Sequence, residues 1–130
     1  MLKNSKQRQA VFEYLKDRKD HPTAEQIYEA VRQNFPNISL GTVYRNLSVL
    51  EEQNLIQKIS LENGIGYRYD PNPVPHSHFS CTRCGAVMDV PPKGLSEKIR
   101  EMEDELRVKI FGEKTVYYGL CPECAKNFQA

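Results

Sequence analysis

The sequence lacks any long apolar run: no stretch of eighteen consecutive apolar residues occurs in its 130 residues, whereas a membrane-spanning helix needs about twenty. The first residues also lack the apolar segment of a secretory signal peptide. These absences exclude an integral membrane protein and predict a cytoplasmic one, in which cysteine thiols stay reduced and can bind metal. Internal repeats and low-complexity tracts are absent as well.

An excess of either charge is also missing. Lys and Arg number 18 and Asp and Glu 17, which gives a net charge of +1 at pH 7. A broad basic surface for nucleic acid would require a large positive excess. Any nucleic-acid contact must therefore depend on a local patch. A chain of this length forms one domain or two small ones, and small domains need additional stabilisation such as a structural metal.

Only four cysteines are present, and they form two C-x-x-C pairs, Cys81/Cys84 and Cys121/Cys124. Four thiolates in two such pairs suit a tetrahedral structural zinc site. Because residues 85–120 separate the pairs, a folded domain must bring them together. Two disulfides or a redox-active C-x-x-C are the alternatives. Neither a secretory segment nor a thioredoxin-like arrangement of strand and helix accompanies the pairs, so the sequence favours zinc.

Three helices and a hairpin are predicted between residues 5 and 70, with the first helix running from Ser5 to about Arg18 and the second ending near Asn34. A capping box at residues 23–26 begins the second helix, and Ser39 begins the third. The third helix has an apolar face formed by residues three and four apart. Residues 55–61 and 65–69 alternate in polarity on either side of Asn63-Gly64, which predicts an antiparallel β-hairpin.

Three short helices followed by a hairpin are typical of a winged helix-turn-helix, whose third helix enters the DNA major groove while the hairpin lies along the backbone. The candidate DNA contacts are residues of the third helix outside its apolar face, together with one cation of the first helix: Arg8, Thr42, Tyr44, Arg45 and Ser48. A helical mini-domain that touches no DNA is the alternative. Arg8, Lys58 and Arg68 are as consistent with solvated surface charges as with phosphate contacts.

A proline-rich segment at residues 71–75 divides the chain, and it predicts an extended, stiff hinge between domains at residues 1–70 and 76–130. The second domain is predicted to contain a helix after Pro92, whose apolar pattern turns Leu106 inward, and a terminal helix at residues 122–128. Its strands are predicted at residues 76–81, 86–90, 107–111 and 114–120. The fold class is therefore α+β: an N-terminal winged helix-turn-helix DNA-binding domain and a small C-terminal α/β domain with a four-cysteine zinc site.

Two of the three histidines form an H-x-H pair, His76 and His78. Residues two apart share one face of a strand, so these imidazoles can bind one metal ion. Further candidate ligands are Asp89 on the neighbouring strand, Asp70 before the hinge, and His21 between the first two helices. From spacing alone, a lone histidine such as His21 is more often a structural residue than a ligand.

The chain resembles the ferric uptake regulator family of metal-dependent transcriptional repressors over essentially its whole length. The matching stretches are Gln7-Arg8, His21-Pro22-Thr23-Ala24, Thr42-Val43-Tyr44-Arg45-Asn46-Leu47, Tyr67-Arg68-Tyr69-Asp70, His76-x-His78-Phe79-x-Cys81-x-x-Cys84-Gly85 and Cys121-x-x-Cys124. The resemblance implies a homodimer that binds palindromic double-stranded promoter DNA, with the second domain as the dimerisation domain.

Within the family, the chain is most similar to the peroxide-sensing branch. There the regulatory ion is held by a histidine before the second helix, an aspartate ending the wing, both histidines of H-x-H, and an aspartate on the next strand. This sequence has a matching residue at all five positions: His21, Asp70, His76, His78 and Asp89. Iron-sensing members often have Glu at the last position. No histidine follows His78, so the additional metal site of some relatives is not expected.

The resemblance thus implies two kinds of cofactor: structural Zn(2+), and Fe(2+) or Mn(2+) as regulatory corepressor. Three imidazoles and two carboxylates suit iron or manganese better than zinc. Peroxide-sensing relatives lose repression through 2-oxo-histidine at positions that match the histidine ligands.

The predicted function is a non-enzymatic, metal-dependent repressor that senses peroxide. One alternative is an iron- or manganese-responsive repressor without peroxide sensing, and another is a constitutive zinc-stapled DNA-binding protein with structural histidines. A third is a small zinc-dependent hydrolase built on His76 and His78 around an open coordination position, although the sequence offers it no recognisable general base.

Overall fold

The computed structural model describes residues 5–61, 66–91 and 95–128. The chain divides into two compact units, Met1–Val74 and Pro75–Ala130, and the division falls within the proline-rich segment 71–75. Within the described ranges, no helix combines the length and the apolar composition that crossing a membrane requires.

The first unit contains three helices and a two-stranded sheet: α1 (Ser5–Leu15), α2 (Ala24–Val31), α3 (Leu40–Glu52), β1 (Gln57–Ser60) and β2 (Tyr67–Asp70). The helices pack their apolar faces into one core, whose buried members include Leu15, Ile27 and Leu47. The two strands pair antiparallel, with Gln57 opposite Asp70. The structure thus has the helices and paired strands predicted for the first half, while the Asn63-Gly64 turn lies outside the described residues.

Side-chain caps determine where α2 and α3 begin. Thr23 Oγ1 accepts a hydrogen bond from the N–H of Gln26 at 3.1 Å, and Gln26 Oε1 accepts one from the N–H of Thr23 at 2.9 Å. This is the predicted capping box. Ser39 Oγ accepts a hydrogen bond from the N–H of Thr42 at 3.1 Å. Because each cap satisfies backbone donors that a helix leaves without intrahelical partners, the sequence specifies both helix starts.

Two helices of the first unit, α1 and α2, end earlier than predicted. Helix α1 ends at Leu15 rather than near Arg18, because the N–H of Arg18 donates to the carbonyl of Leu15 and closes a tighter turn. Helix α2 ends at Val31 rather than near Asn34, where the N–H of Asn34 likewise donates to the carbonyl three residues earlier. Such tightening of the last turn is common at helix ends.

The second unit contains β3 (Ser77–Cys81), β4 (Val87–Val90), α4 (Leu95–Leu106), β5 (Val116–Gly119) and α5 (Pro122–Ala125). The terminal helix therefore ends at Ala125 rather than at residue 128, since the N–H of Phe128 donates to the Ala125 carbonyl in a tighter turn. Its sheet has the order β4-β3-β5, with β3 antiparallel to β4 and parallel to β5. Among the residues after Pro75 that the structure describes, those buried are Ser77, His78, Cys81, Val87 and Cys121. This unit therefore has almost no aliphatic core.

The strand predicted at residues 107–111 is wrong. Arg107 has a φ of 56° directly after α4, and the segment pairs with no strand in the part of the chain that the structure describes. The N–H of Ile110 donates instead to the Glu103 carboxylate at 2.9 Å. Leu106 and Phe111 are 63% and 91% exposed, although the apolar pattern predicted that Leu106 faces inward. The apolar residues of this segment therefore pair with no strand among the described residues.

The capping box yields a stability prediction. Thr23→Ala removes the hydroxyl that accepts from Gln26, and it should lower the free energy of unfolding by about 1 kcal/mol. The measurement is a urea titration of the zinc-loaded protein followed by helical circular dichroism. Thr23→Ser keeps the acceptor and should unfold near the wild-type midpoint. Equal midpoints for the Ala and Ser variants would show that the cap contributes nothing.

Candidate metal centres and nucleic-acid interface

The four cysteines lie together at one edge of the second unit's sheet. In the parallel register of β3 and β5, Cys81 lies opposite Gly119, so the chain reaches Cys121 just beyond the end of β3. Cys84 follows Cys81 in a turn in which Gly85, with a φ of 81°, donates its N–H to the Cys81 carbonyl at 3.0 Å. Cys121 is the N-cap of α5, and Cys124 lies in its first turn. The strand register therefore unites two pairs that are distant in sequence.

The spacing of the sulfur atoms fits one tetrahedral ion. The four Sγ atoms all lie within 4.8 Å of one another, and the Cys84 and Cys121 sulfurs are 3.7 Å apart. Zn–S bonds of about 2.3 Å in a tetrahedron place the sulfurs about 3.8 Å apart. A disulfide needs about 2.05 Å, and all four cysteines are free. The cluster therefore fits zinc and contains no disulfide.

The thiols of this cluster differ in acidity. Hydrogen bonds from the backbone N–H groups of Cys84 and Cys121 lower the pKa of the Cys81 thiol to about 5. The hydrogen bond with Cys121 and burial raise the pKa of the Cys124 thiol to about 12. Cys81 is therefore a thiolate at pH 7, whereas Cys124 must lose a proton when an ion binds. Because binding releases protons, the affinity for zinc must fall as the pH falls.

The second unit brings three of the predicted regulatory ligands together. The strand register places His78 opposite Asp89, and His76 directly precedes β3. Asp89 Oδ1 lies 2.9 Å from His76 Nε2 and 3.2 Å from His78 Nε2, and the two imidazole centroids are 4.3 Å apart. Ligands at about 2.1 Å from an octahedral ion are about 3.0 Å apart. The spacing of these donors therefore fits one divalent ion.

The first unit brings together the other two. His21 Nε2 lies 3.6 Å from Asp70 Oδ2, and both side chains are only 2% exposed. The N–H of Asn72 donates to the other carboxylate oxygen, Oδ1, at 2.8 Å, and this bond fixes the Asp70 side chain with Oδ2 toward His21. His21 and Asp70 offer imidazole nitrogen and carboxylate oxygen, the same donor types as the histidines and aspartate of the second unit, and these donor types suit Fe(II) or Mn(II).

The candidate DNA-contacting face of α3 has a hydrogen-bonded row of polar side chains. Arg45 Nη2 donates to Thr42 Oγ1 at 2.8 Å, and Thr42 Oγ1 lies 2.9 Å from Ser39 Oγ. Arg45 and Ser48 are exposed, whereas Val43 and Leu47 are buried in the core. The helix therefore presents one cationic side chain, held by its neighbours, on a solvent-facing surface. Arg8 is half-buried on α1.

Tyr44 lies beside this row and is held from α2. Its hydroxyl donates to Glu25 Oε1 at 2.9 Å, and this bond raises the pKa of Tyr44. Because the phenolic proton is already donated to a carboxylate, the exposed ring is better suited to an apolar contact than to a phosphate contact.

Sequence reasoning missed two side chains that hold these sites in place. Glu25 orients Tyr44, and Arg68 Nη1 donates to the His21 carbonyl at 3.0 Å. An acidic residue in the first turn of a helix is expected from the helix dipole alone. No local pattern therefore distinguished the role of Glu25, and the contact of Arg68 joins residues 47 positions apart.

Comparison with known proteins shows that residues 1–118 match the ferric uptake regulator family. The chain is 36% identical to the peroxide operon regulator of Bacillus subtilis over 121 residues, which cover 93% of this chain and 83% of that protein. It is 34% identical to the peroxide-responsive repressor PerR of Staphylococcus aureus over 118 residues, with coverages of 91% and 79%.

Solved structures of two regulators also resemble this chain in fold. The ferric uptake regulator Fur of Helicobacter pylori, whose structure is described as revealing three functional metal-binding sites, matches with a TM-score of 0.85 and 29% identity over 98% of this chain and 85% of its own. The peroxide stress regulator of Campylobacter jejuni matches with a TM-score of 0.77 and 31% identity, with coverages of 92% and 90%. These similarities confirm the predicted α+β architecture of a winged helix-turn-helix domain and a dimerisation domain.

The cysteine geometry yields a prediction about metal content. Cys124→Ser should lose the bound zinc and destabilise the second unit, because the free energy of metal binding is part of the folding free energy in a unit with so small a core. Metal analysis after gel filtration, with a thermal melt, measures both effects. Ser80→Ala, next to Cys81 on β3, is a matched control that should keep its zinc. A Cys124→Ser variant that is folded without zinc would contradict a structural role.

Proposed function

This chain belongs to the ferric uptake regulator family, and on that premise we propose that it is a dimeric, metal-dependent transcriptional repressor that releases promoter DNA in response to peroxide. The observation that carries the proposal is the convergence of His76 and His78 on one oxygen of Asp89, at 2.9 and 3.2 Å. The two relatives identified above are named as peroxide-responsive regulators. Because such a repressor acts on chromosomal DNA, its site of action is the cytoplasm.

The regulatory ion on this proposal is Fe(II) or Mn(II), held by His21, Asp70, His76, His78 and Asp89. Each unit contributes only part of this set: two donors come from the first and three from the second. The three donors of the second unit would leave coordination positions of the ion open, and the two donors of the first unit would fill part of them. Zinc occupies the four-cysteine site separately, since soft thiolates select it.

The ion acts as corepressor by joining the two domains, residues 1–70 and 76–130, across the hinge at residues 71–75. Gln57 Nε2 on β1 donates to the carbonyls of Asn72 and Val74 at 2.9 and 3.0 Å. The first part of the hinge is therefore attached to the wing, which consists of β1 and β2. The ion would restrict the remaining motion of one domain relative to the other. In a dimer this motion determines the separation of two recognition helices, which must match half-sites about one helical turn apart.

A homodimer is supported by the apolar surface that one chain leaves exposed. Leu106, Val108 and Phe111 are 63%, 48% and 91% exposed, and they follow one another at the end of α4 and in the segment after it. Exposed apolar clusters of this kind mark protein interfaces. A second copy of the chain would cover them, and two-fold symmetry then specifies a palindromic operator.

DNA recognition is assigned to α3, with Arg45 at a base edge, Thr42 and Ser48 beside it, and Tyr44 in apolar contact with the groove. Arg8 contributes a phosphate contact from α1. This division follows from chemistry: a guanidinium can bind guanine with two hydrogen bonds, whereas hydroxyl groups serve either bases or phosphates. The protein is on this basis a regulator and not an enzyme.

Arg45→Ala should weaken binding to an operator by about 1–3 kcal/mol and relax sequence preference at the contacted base pair. The operator duplex is first selected from a randomised pool with the Mn(II)-loaded wild-type protein. Binding to it and to single-base variants is then measured by fluorescence anisotropy.

Arg32→Ala is the matched control for Arg45→Ala. It removes the same charge from an exposed side chain at the C-cap of α2, where Arg32 is paired with Glu29 at 3.4 Å, and it should leave sequence preference unchanged. Equal weakening by Arg45→Ala on every duplex would instead make Arg45 a phosphate contact.

Peroxide sensing is tested by mass spectrometry of protein loaded with Fe(II) or with Mn(II). When bound at the histidine and aspartate site, Fe(II) would supply the electron that reduces hydrogen peroxide, a reaction in which Mn(II) is far less active. The imidazoles of His21 and His76 would adjoin the ion as ligands, so one or the other is expected to gain one oxygen atom from peroxide. An oxidised imidazole is a poorer metal ligand, so the regulatory ion should be lost, and DNA binding should be lost with the ion.

The expected result is an addition of one oxygen to the peptide that contains His21 or His76, in the iron form only. Mn(II)-loaded protein should stay unmodified and bound to DNA under the same dose of peroxide. Oxidation confined to the cysteines, or equal in both metal forms, would favour a repressor that responds to iron or manganese without sensing peroxide.

A further inference from the structure

His21 has a backbone conformation that few residues other than glycine adopt. Its φ is 50°, in the left-handed region, where a side chain crowds the backbone and the conformation is unfavourable by itself. Pro22 follows and has no N–H to donate. The segment between α1 and α2 is therefore unable to hold itself in this shape through a hydrogen bond from residue 22, and the surrounding structure must hold it.

Strand β2 supplies donors to the two carbonyl groups of this segment. Arg68 Nη1 donates to the His21 carbonyl at 3.0 Å. The N–H of Tyr69 donates to the Pro22 carbonyl, also at 3.0 Å. Asp70 is the next residue of the same strand and lies 3.6 Å from the His21 imidazole. One strand thus fixes the backbone of His21 and also carries Asp70.

We infer that Arg68 is a positioning residue for the regulatory metal. Its guanidinium is not a metal ligand, but its hydrogen bond holds His21 in the left-handed conformation that places the imidazole beside Asp70. The inference rests on the proposed function, in which His21 and Asp70 are ligands. Arg68 is half-buried, and a charged donor in such a place makes a stronger hydrogen bond than a neutral one. Without this hydrogen bond, the His21 backbone can relax toward extended conformations. Metal binding must then restore the left-handed conformation, which lowers the affinity for the metal.

The experiment is a Mn(II) titration of the full-length, zinc-loaded protein in the absence of DNA. Electron paramagnetic resonance detects free Mn(II) by its sharp six-line spectrum, so the bound fraction is obtained by difference. Arg68→Met removes the donor while keeping an unbranched side chain. We expect its Mn(II) affinity to be roughly 10- to 100-fold lower than that of the wild type, the range found when groups that orient metal ligands are removed.

Lys58→Met is the matched control. Lys58 is an exposed cation of the same wing, on β1, with its Nζ 4.4 Å from the centre of the Tyr67 ring. It should bind Mn(II) as the wild type does, which separates a specific role of Arg68 from a general loss of positive charge. Arg68→Lys keeps a charged donor but replaces the planar guanidinium with a compact ammonium. Its affinity for Mn(II) should lie between those of the wild type and Arg68→Met.

Each outcome has one meaning. A Mn(II) affinity of Arg68→Met within threefold of the wild type overturns the positioning role and leaves the proposed function standing. A wild-type protein that takes up no Mn(II) overturns both. If Arg68→Met fails to fold, as a thermal melt would show, Arg68→Lys decides: reduced affinity in a folded protein supports the role, and unchanged affinity overturns it.

Discussion

The fold of the second unit depends on the convergence of four cysteine sulfurs at one edge of its sheet. Val87 is the only aliphatic side chain buried among the described residues after Pro75, so hydrophobic burial contributes little there. Four thiolates this close would repel one another without a cation. A zinc ion held by these cysteines would remove the repulsion and tie α5 to β3, and such a tie stabilises a unit with so small a core. In the proposed homodimer, the partner chain would cover the exposed apolar residues at the end of α4 and supply further stabilisation.

Under the proposed function, the division of the candidate regulatory ligands between two units would give the metal a mechanical effect on the hinge. An ion bound by only one unit would gain part of the available ligand set and would leave the hinge free. An ion bound by both gains the full set and restrains the hinge, so its binding free energy favours one arrangement of the domains. A corepressor needs this difference in affinity between two states, because a ligand that binds both equally shifts nothing.

The side chains proposed to contact DNA, and the proposed metal ligand His21, are held in place by neighbours. Arg45 donates to Thr42, Tyr44 donates to Glu25, and Arg68 donates to the His21 carbonyl. Each of these bonds reduces the conformational freedom that would otherwise be lost on binding, and such preorganisation increases affinity without adding a contact. The contact of Arg68 has a further consequence, because it joins the wing to a proposed metal ligand within the first unit.

The sequence by itself determined the family, the ligand types and the local structure. Periodicity, the caps at Thr23 and Ser39, and the C-x-x-C and H-x-H spacings depend on residues a few positions apart, and local chemistry is enough to predict them. Only the tertiary structure decided that β5 pairs parallel with β3, that residues 107–111 find no partner strand within the described chain, and that Glu25 and Arg68 hold Tyr44 and His21. These features join residues far apart in sequence, and they form only when burial and hydrogen bonding of the whole unit outweigh the entropy of closing long loops.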